Sequence, residues 1–208
     1  MKLTANMCEL IGSIIGDGNI VENRPWYVEI TGHPTEELIY FDNRLKPIIF
    51  QELNYNIRLF LHSRGLKFRI NNKAFVLWLK NLGIPTGKNK GKNVLIPEEI
   101  SASWKLSKNC LRGIFDADGS VFFDNRSIYT KPYPRIALHM NNENLLAQIS
   151  SILRKQGFNP TLSRKDVCLY LNGFEEVRKF LLRIGFANPK HHERIKNLYP
   201  NLVTYNLI

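Results

Sequence analysis

Two kinds of apolar pattern alternate along the chain, and their order repeats. An apolar helical stretch, Leu10–Ile15, is followed by Trp26-Tyr-Val-Glu-Ile-Thr31, which alternates with period two like a half-buried strand. Helical spacing returns from about Thr35 to Leu53. Two strand-like runs, Asn56–His62 and Leu66–Ile70, then flank Ser63-Arg-Gly65, a hairpin-turn signal. The short apolar helix Lys73–Leu82 stops at Gly83-Ile-Pro85, with Gly just past the end and Pro beyond it. The second half predicts strands at Ser120–Phe123 and Arg135–Met140 and a helix from about Glu143 to Gln156 stopped by Gly157. Strands at Thr161–Arg164 and Val167–Leu171 and a helix at Glu175–Ile184, stopped by Gly185, complete it.

The segments that open the halves are alike residue by residue. Leu10-Ile-Gly-Ser-Ile-Ile-Gly-Asp-Gly18 and Leu111-Arg-Gly-Ile-Phe-Asp-Ala-Asp-Gly119 share Leu, Gly, Asp and Gly at positions one, three, eight and nine, and lie 101 residues apart. Each half therefore reads helix, strand, strand, helix, strand, strand, helix. This predicts an α+β fold, a pseudo-symmetric duplication of an αββαββα repeat. The repeats are expected at 1–88 and 105–208. Residues 89–104, rich in Lys, Gly and Asn with Pro97, are expected to be a linker.

Gly12 and Gly16 in one copy, and Gly113 and Ala117 in the other, are small residues four apart. Glycine inside a helix costs about 1 kcal/mol relative to Ala, so such a pair needs a reason. Small residues on one face let two helix backbones approach closely, and the simplest partner is the equivalent face of the other copy. The motif helices are thus expected to pack side by side at the centre, on a pseudo-twofold axis. Asp17 and Asp118 then fall at the helix C-termini, each followed by a Gly suited to a left-handed stop. A carboxylate there faces the negative end of the helix dipole, and two brought together repel. A divalent cation removes both objections, and carboxylate oxygens suit Mg²⁺ completed by water and phosphate. One Asp-Gly alone reads as a turn, but two at matched spacing favour a site. An EF-hand at Asp116–Ser120 is excluded, because Val121 stands where the loop needs Gly and Ser127 where it needs Glu.

Composition narrows the partner. Twenty-nine Lys and Arg against 18 Asp and Glu give the 208 residues a formal charge of +11, which favours a polyanion. At 44% hydrophobic the chain carries enough apolar surface to exclude disorder as its main state. Residues 1–103 hold 13 basic and 10 acidic groups, residues 104–208 hold 16 and 8, so both halves are basic. Cys8, Cys110 and Cys168 show no paired or metal-like spacing. No stretch reads as a signal peptide, and none approaches the roughly 20 apolar residues of a membrane helix. The expectation is a soluble protein of a reducing intracellular compartment, cytoplasm or organelle, not secreted and with no membrane partner.

A phosphate held beside such a metal would also need cations for its charge. Lys88 lies 71 residues beyond Asp17, and Lys190 lies 72 beyond Asp118, each after the last predicted helix of its half. This matched spacing selects them as catalytic, while Lys90 and Lys92 read as solvated lysines. On the predicted strands, Arg58, Lys67 and Arg69 in one half and Arg126, Lys131, Arg135 and Arg164 in the other are the expected contacts to a polyanion. A strand presents alternate residues to one face, and Arg on a β-ribbon can read the major groove.

The duplicated nonapeptide resembles the LAGLIDADG motif, and two copies in one chain resemble the single-chain, two-motif homing endonucleases. That resemblance implies antiparallel sheets forming a saddle over DNA. It implies that Asp17 and Asp118 bind the metals, assisted by the backbone carbonyls of Gly16 and Ala117, and that an active-site Lys follows the last helix of each half. It also implies a polar residue ordering water at the end of the second strand, here His33 and Asn141. Cutting would proceed across the minor groove and leave short 3′ overhangs. Ile15 replaces the acid found as Asp116 at position six, a position that holds no metal in the family. The resulting expectation is a monomeric, intron-encoded, site-specific endonuclease that cuts both strands of a long non-palindromic DNA. It would need Mg²⁺, two or more ions, at sites open to Mn²⁺ or Ca²⁺. An intein origin is disfavoured, because the chain opens Met1-Lys-Leu and closes Tyr205-Asn-Leu-Ile208 without a terminal His-Asn. The rival expectations are an RNA maturase acting on its host intron RNA and a DNA-binding protein without cleavage.

Overall fold

The computed structural model describes residues 1–62, 65–87, 90–125, 128 and 132–199. The first half contains α1 (Ala5–Asp17), β1 (Gly18–Val21), β2 (Tyr27–Gly32), α2 (Leu38–Tyr40), α3 (Lys46–Leu53), β3 (Leu59–His62), β4 (Gly65–Ile70) and α4 (Lys73–Asn81). A π-helical turn, Phe41–Leu45, joins α2 to α3, so the single helix expected from Thr35 is one rod with a bulge. Two short helices, α5 (Lys90–Asn93) and α6 (Glu98–Ser101), precede the second half. That half contains α7 (Trp104–Asp118), β5 (Gly119–Asp124), β6 (Tyr133–His139), α8 (Glu143–Lys155), β7 (Thr161–Ser163), β8 (Cys168–Asn172), α9 (Phe174–Arg183) and α10 (Pro189–Leu198).

Each half builds a four-stranded antiparallel sheet of the same order, β1-β2-β4-β3 and β5-β6-β8-β7. The registers correspond as well. Gly18 pairs with Ile30 and Gly119 with Leu138, so each strand starts on the glycine after the motif acid. Alternation decides which face is covered. In β4, Leu66, Phe68 and Ile70 are buried while Lys67 and Arg69 stand on the opposite face. The buried face of both sheets joins the helices in one continuous apolar core that includes Ile14, Ile114, Phe68 and Phe115. No helix among the described residues is long and apolar enough to cross a membrane.

The connection between the halves is more ordered than its composition suggests. Val94, Ile96 and Ile100 are buried, as is Lys90. Gln148 of α8 donates to Ile96 O at 2.9 Å and accepts from Ile96 N at 2.8 Å, and Asn142 Nδ2 donates to Val94 O at 2.8 Å. Few apolar residues among many lysines suffice when each is buried and the backbone groups beside them are paired. The final helix, α10, lies where the sequence reading placed only a post-helix lysine. Its signal is local: Asn188 caps it, its side chain accepting from Lys190 N at 3.2 Å, and Pro189 occupies the first turn.

Candidate active site

The centre of the molecule is the contact between α1 and α7, and glycine makes it possible. A Cβ on Gly12 would lie 2.0 Å from Cys110 O, and one on Gly113 would lie 2.1 Å from Glu9 O. The two contacts are the same contact under exchange of the halves, since Gly12 corresponds to Gly113 and Glu9 to Cys110. The helices therefore cross backbone to backbone about a pseudo-twofold axis, as the small residues predict. Further down, a Cβ on Gly16 would meet Ala117 Cβ at 2.6 Å and Asp118 Oδ2 at 2.9 Å. The packing thus draws the two acidic helix ends together.

The glycines after the acids serve a different purpose from the one expected. Gly18 and Gly119 are extended, at φ −82° and −77°, with no left-handed stop. They are required because a Cβ would strike the preceding turn, 2.5 Å from Ile14 O and 2.2 Å from Phe115 O, as the chain leaves the helix directly into a strand.

Around Asp17 and Asp118 stand three charged side chains, Lys90, Lys190 and Glu37. Lys190 Nζ donates to Glu37 Oε1 at 2.6 Å, a pair formed across the two halves. Lys90 is buried, and its ammonium donates to Ile14 O and to Ile15 O, the latter at 2.9 Å, on the last turn of α1. Reading Lys90 as solvated is therefore corrected. It neutralises the carbonyl end of the motif helix, close to the acids. Lys88 lies outside the described residues.

Glu37 is the residue that sequence reasoning missed. It is 5% exposed, and its carboxylate accepts from His33 N at 2.8 Å, Asn188 Nδ2 at 3.0 Å and Lys190 Nζ. It fills the space left by Gly32, where a Cβ would lie 2.4 Å from Glu37 Oε2. His33 itself is exposed and turned into its own loop, its Nδ1 3.1 Å from Thr35 Oγ1 and 3.3 Å from Glu36 N. Asn141, at the corresponding corner of the other half, is exposed.

Asp116, the acid without a counterpart in the first copy, anchors the loop that leads into α10, the helix of Lys190. Fully buried, it accepts from Ala187 N and Asn188 N, each at 3.0 Å, and Asn188 Nδ2 returns to Asp116 O at 3.3 Å. The halves therefore tie the motif helix to the following segment by opposite means, a carboxylate accepting N–H groups in one and an ammonium donating to carbonyls in the other.

Burial, reinforced by Asp118 and Glu37, raises Asp17 to about 7 against the pull of Lys190 and Lys90. Burial likewise raises Asp118 to about 6, opposed by the two lysines. Burial lowers Lys90 to about 8 while the acids hold it up. In the metal-free protein the folded state keeps protons on both carboxyls that the unfolded chain releases. This contribution to stability is complete below the ordinary carboxylate pKa of 3.8 and is lost as pH rises through about 6 and 7. An Asp17→Asn, Asp118→Asn double variant is thus expected to exceed the wild type by about 2 kcal/mol at about pH 8 and to match it near pH 4. Urea unfolding in EDTA measures this, and a gap independent of pH would contradict it.

The open sheet faces hold the remaining residues singled out from sequence. Arg58, Lys67 and Arg69 line a cavity of about 590 Å³ with Glu29 and Phe60. Glu29 accepts from Arg69 Nε at 2.6 Å and lies 3.6 Å from Lys67 Nζ, while the Arg69 guanidinium sits 4.6 Å from the Tyr27 ring centroid. In the second half Arg135 donates to Asn172 Oδ1 at 2.7 Å and Asp124 Oδ2 at 3.1 Å, and lies 4.4 Å from the Tyr170 centroid. These acids fix each guanidinium and leave other donors free. Arg126 and Lys131 lie outside the described residues. Arg164 is off the strand, because β7 ends at Ser163. It lines a groove beside Glu143 and Ala147 of α8.

Comparison with known proteins agrees with this architecture. Residues 106–185 match the family model described as a LAGLIDADG-like domain. The tRNA-splicing ligase RtcB of Pyrococcus furiosus is 33% identical over 136 residues, which make up 60% of this chain and 14% of that protein. The chain thus spans a small part of that relative's length. The crystal structure of I-DmoI in complex with DNA and Mn superposes with a TM-score of 0.59 at 19% identity, covering 88% of this chain and 98% of that one. The N-terminal LAGLIDADG domain of DUF199/WhiA superposes at 0.58 with 16% identity, covering 89% and 86%. With its twin motif helices, paired sheets and duplicated order of elements, the chain has the fold of the LAGLIDADG proteins, and its second half matches the model of their domain.

Proposed function

We propose that the protein is a metal-dependent, site-specific endonuclease that cuts both strands of a long, non-palindromic DNA duplex as a monomer. The observation that carries this reading is the pairing of Asp17 and Asp118. Two half-buried carboxylates meet at the dipole-negative ends of packed helices, with two lysines beside them and two sheets flanking them.

The chemistry of the donor set fits a divalent cation. Neither carboxylate accepts a hydrogen bond from another described residue, and burial makes each costly to ionise, which a cation relieves. Among the described residues no three His, Cys, Asp or Glu side chains cluster at metal-binding distance. Two acids with last-turn carbonyls of Gly16 and Ala117 are what a hard ion needs when phosphate and water complete its shell. His191 is not part of this set. It is buried, stacked at 4.2 Å on Phe186 and kept neutral by burial, its pKa lowered to about 3.

When bound, Mg²⁺, Mn²⁺ or Ca²⁺ at this pair would neutralise phosphate charge, and the catalytic ions would also acidify water. The chain's own residues supply the rest. Lys190, held by Glu37, and Lys90, held by the α1 carbonyls, place positive charge beside a phosphate lying over the acids. The sheets bind the duplex through Arg58, Lys67, Arg69 and Arg135. The two faces differ in every charged position, so their half-sites differ. Cutting across the minor groove with short 3′ overhangs is what the resemblance to the homing endonucleases implies. An intron-encoded origin and an intracellular compartment complete this reading.

A second reading is a DNA-binding protein on this fold that does not cut. The acid pair discriminates, since two opposed carboxylates weaken phosphate binding unless metal joins them. Incubation with a plasmid library carrying random inserts tests the choice. Linear product is expected in Mg²⁺ and none in EDTA, whereas binding without metal-dependent linear product would favour the second reading.

A further inference from the structure

The charge excess of the second half does not sit where strand alternation would put it. The four strands β5 to β8 contain a single Lys or Arg, Arg135, and it is already paired with Asp124. Among the described residues most basic groups of this half stand on helices instead. There a cavity of about 610 Å³ opens between α7, the end of α9 and the loop that follows it. Arg44, Lys108, Arg112 and Arg183 line it, and no carboxylate does.

Two of these cations are fixed in place. Glu9, fully buried beneath them, accepts from Arg44 Nε at 2.7 Å and Nη2 at 2.6 Å, and lies 3.4 Å from Arg112 Nη1. Arg112 also donates through Nε and Nη2 to Ile184 O, at 2.8 and 2.7 Å. One buried negative charge thus anchors two guanidinium groups and cannot neutralise both. Arg44 Nη1 and the Lys108 ammonium have no partner among the described residues. Anchored guanidinium groups with spare donors, beside an unpaired ammonium, match the oxygens of a phosphate and lose little entropy on binding one. Arg112 stands six residues before Asp118 on α7, about 9 Å along the helix from the acid pair, so this cavity is separate from the cutting centre.

We propose that the cavity is a second phosphate-binding site, and that it takes a backbone phosphate of a nucleic-acid strand lying outside the DNA saddle. Nothing in the cutting reaction uses it, so it persists whether or not the acid pair cuts DNA.

The test measures anisotropy of a labelled single-stranded RNA of about 12 nucleotides, and heat of binding for inorganic pyrophosphate, with wild type, Lys108→Glu, Lys108→Ala and Lys67→Glu. Lys67 stands on the open sheet face and controls for binding there. RNA affinity is expected to fall about fivefold or more in Lys108→Glu, and in Lys108→Ala the salt slope should be shallower by about 0.7. Lys67→Glu should change RNA affinity less than either. Pyrophosphate heat lost on Lys108 substitution, without RNA binding, would keep the phosphate site and assign it to a free ion. Wild-type RNA affinity in both folded Lys108 variants, with no Lys108-dependent pyrophosphate heat, would overturn the proposal.

Discussion

Asp118→Asn, and separately Asp17→Asn, is expected to reduce cutting of a target duplex by about a thousandfold or more while leaving target binding in EDTA unchanged or slightly tighter. Asparagine keeps the shape of the side chain and removes the charge. The pair then no longer offers two anionic oxygens to a cation, and the metal affinity of the shared centre falls. Binding moves the other way, because a carboxylate beneath a phosphate backbone repels it when no metal intervenes. The effect is expected at both acids, since Gly16 brings the two helix ends within van der Waals contact and neither acid has a centre of its own. Single-turnover cleavage, resolved into nicked and linear product, measures the loss. Linear product at the wild-type rate in either variant would remove that acid from the site. A variant that loses binding and cutting in equal measure would make the acids structural.

Gly113→Ala is expected to cost about 3 kcal/mol or more of folding stability, and Gly12→Ala a similar amount. Helix propensity alone would make each change stabilising by about 1 kcal/mol. Contact overrides propensity here. The new methyl groups would meet backbone carbonyls, Glu9 O at 2.1 Å and Cys110 O at 2.0 Å, and backbone of a packed helix cannot rotate aside as a side chain can. Separating α1 from α7 would also draw apart the acids at their ends, so surviving protein should lose cutting. Gly91→Ala is the control, since a Cβ there meets nothing within 4 Å. Denaturant unfolding of the three variants decides the matter. Similar stability for Gly113→Ala and Gly91→Ala would mean the motif glycines are not there for close packing.

How far the sequence reveals this site depends on the range of the interactions involved. The motif helices were legible because Gly12, Gly16, Gly113 and Ala117 state a packing face in local spacing. The strands were legible because burial alternates, as in Leu66, Phe68 and Ile70 against Lys67 and Arg69. Lys90 was not legible. Its distance from Asp17 differs from that of Lys88 by only two residues, and the sequence does not say which ammonium turns inward onto the α1 carbonyls. Glu37 was hidden for a similar reason. Its partners Asn188 and Lys190 lie about 150 residues away, in the other half. Nothing in local pattern distinguishes it from the neighbouring Glu36, which is exposed. Net charge, too, counts residues and not faces. Only the fold shows that most of the described basic residues of the second half lie on helices, while its described strands carry Arg135 alone.

The central proposal is one centre, assembled from both halves, that cuts an asymmetric duplex. Sequencing both ends of every product from the random-insert library tests that most directly. Paired cuts a few base pairs apart on the two strands, in Mg²⁺ only and within one long non-palindromic sequence, are the expected result. Ends that persist in EDTA, fall on one strand alone, or scatter without a common sequence would contradict it.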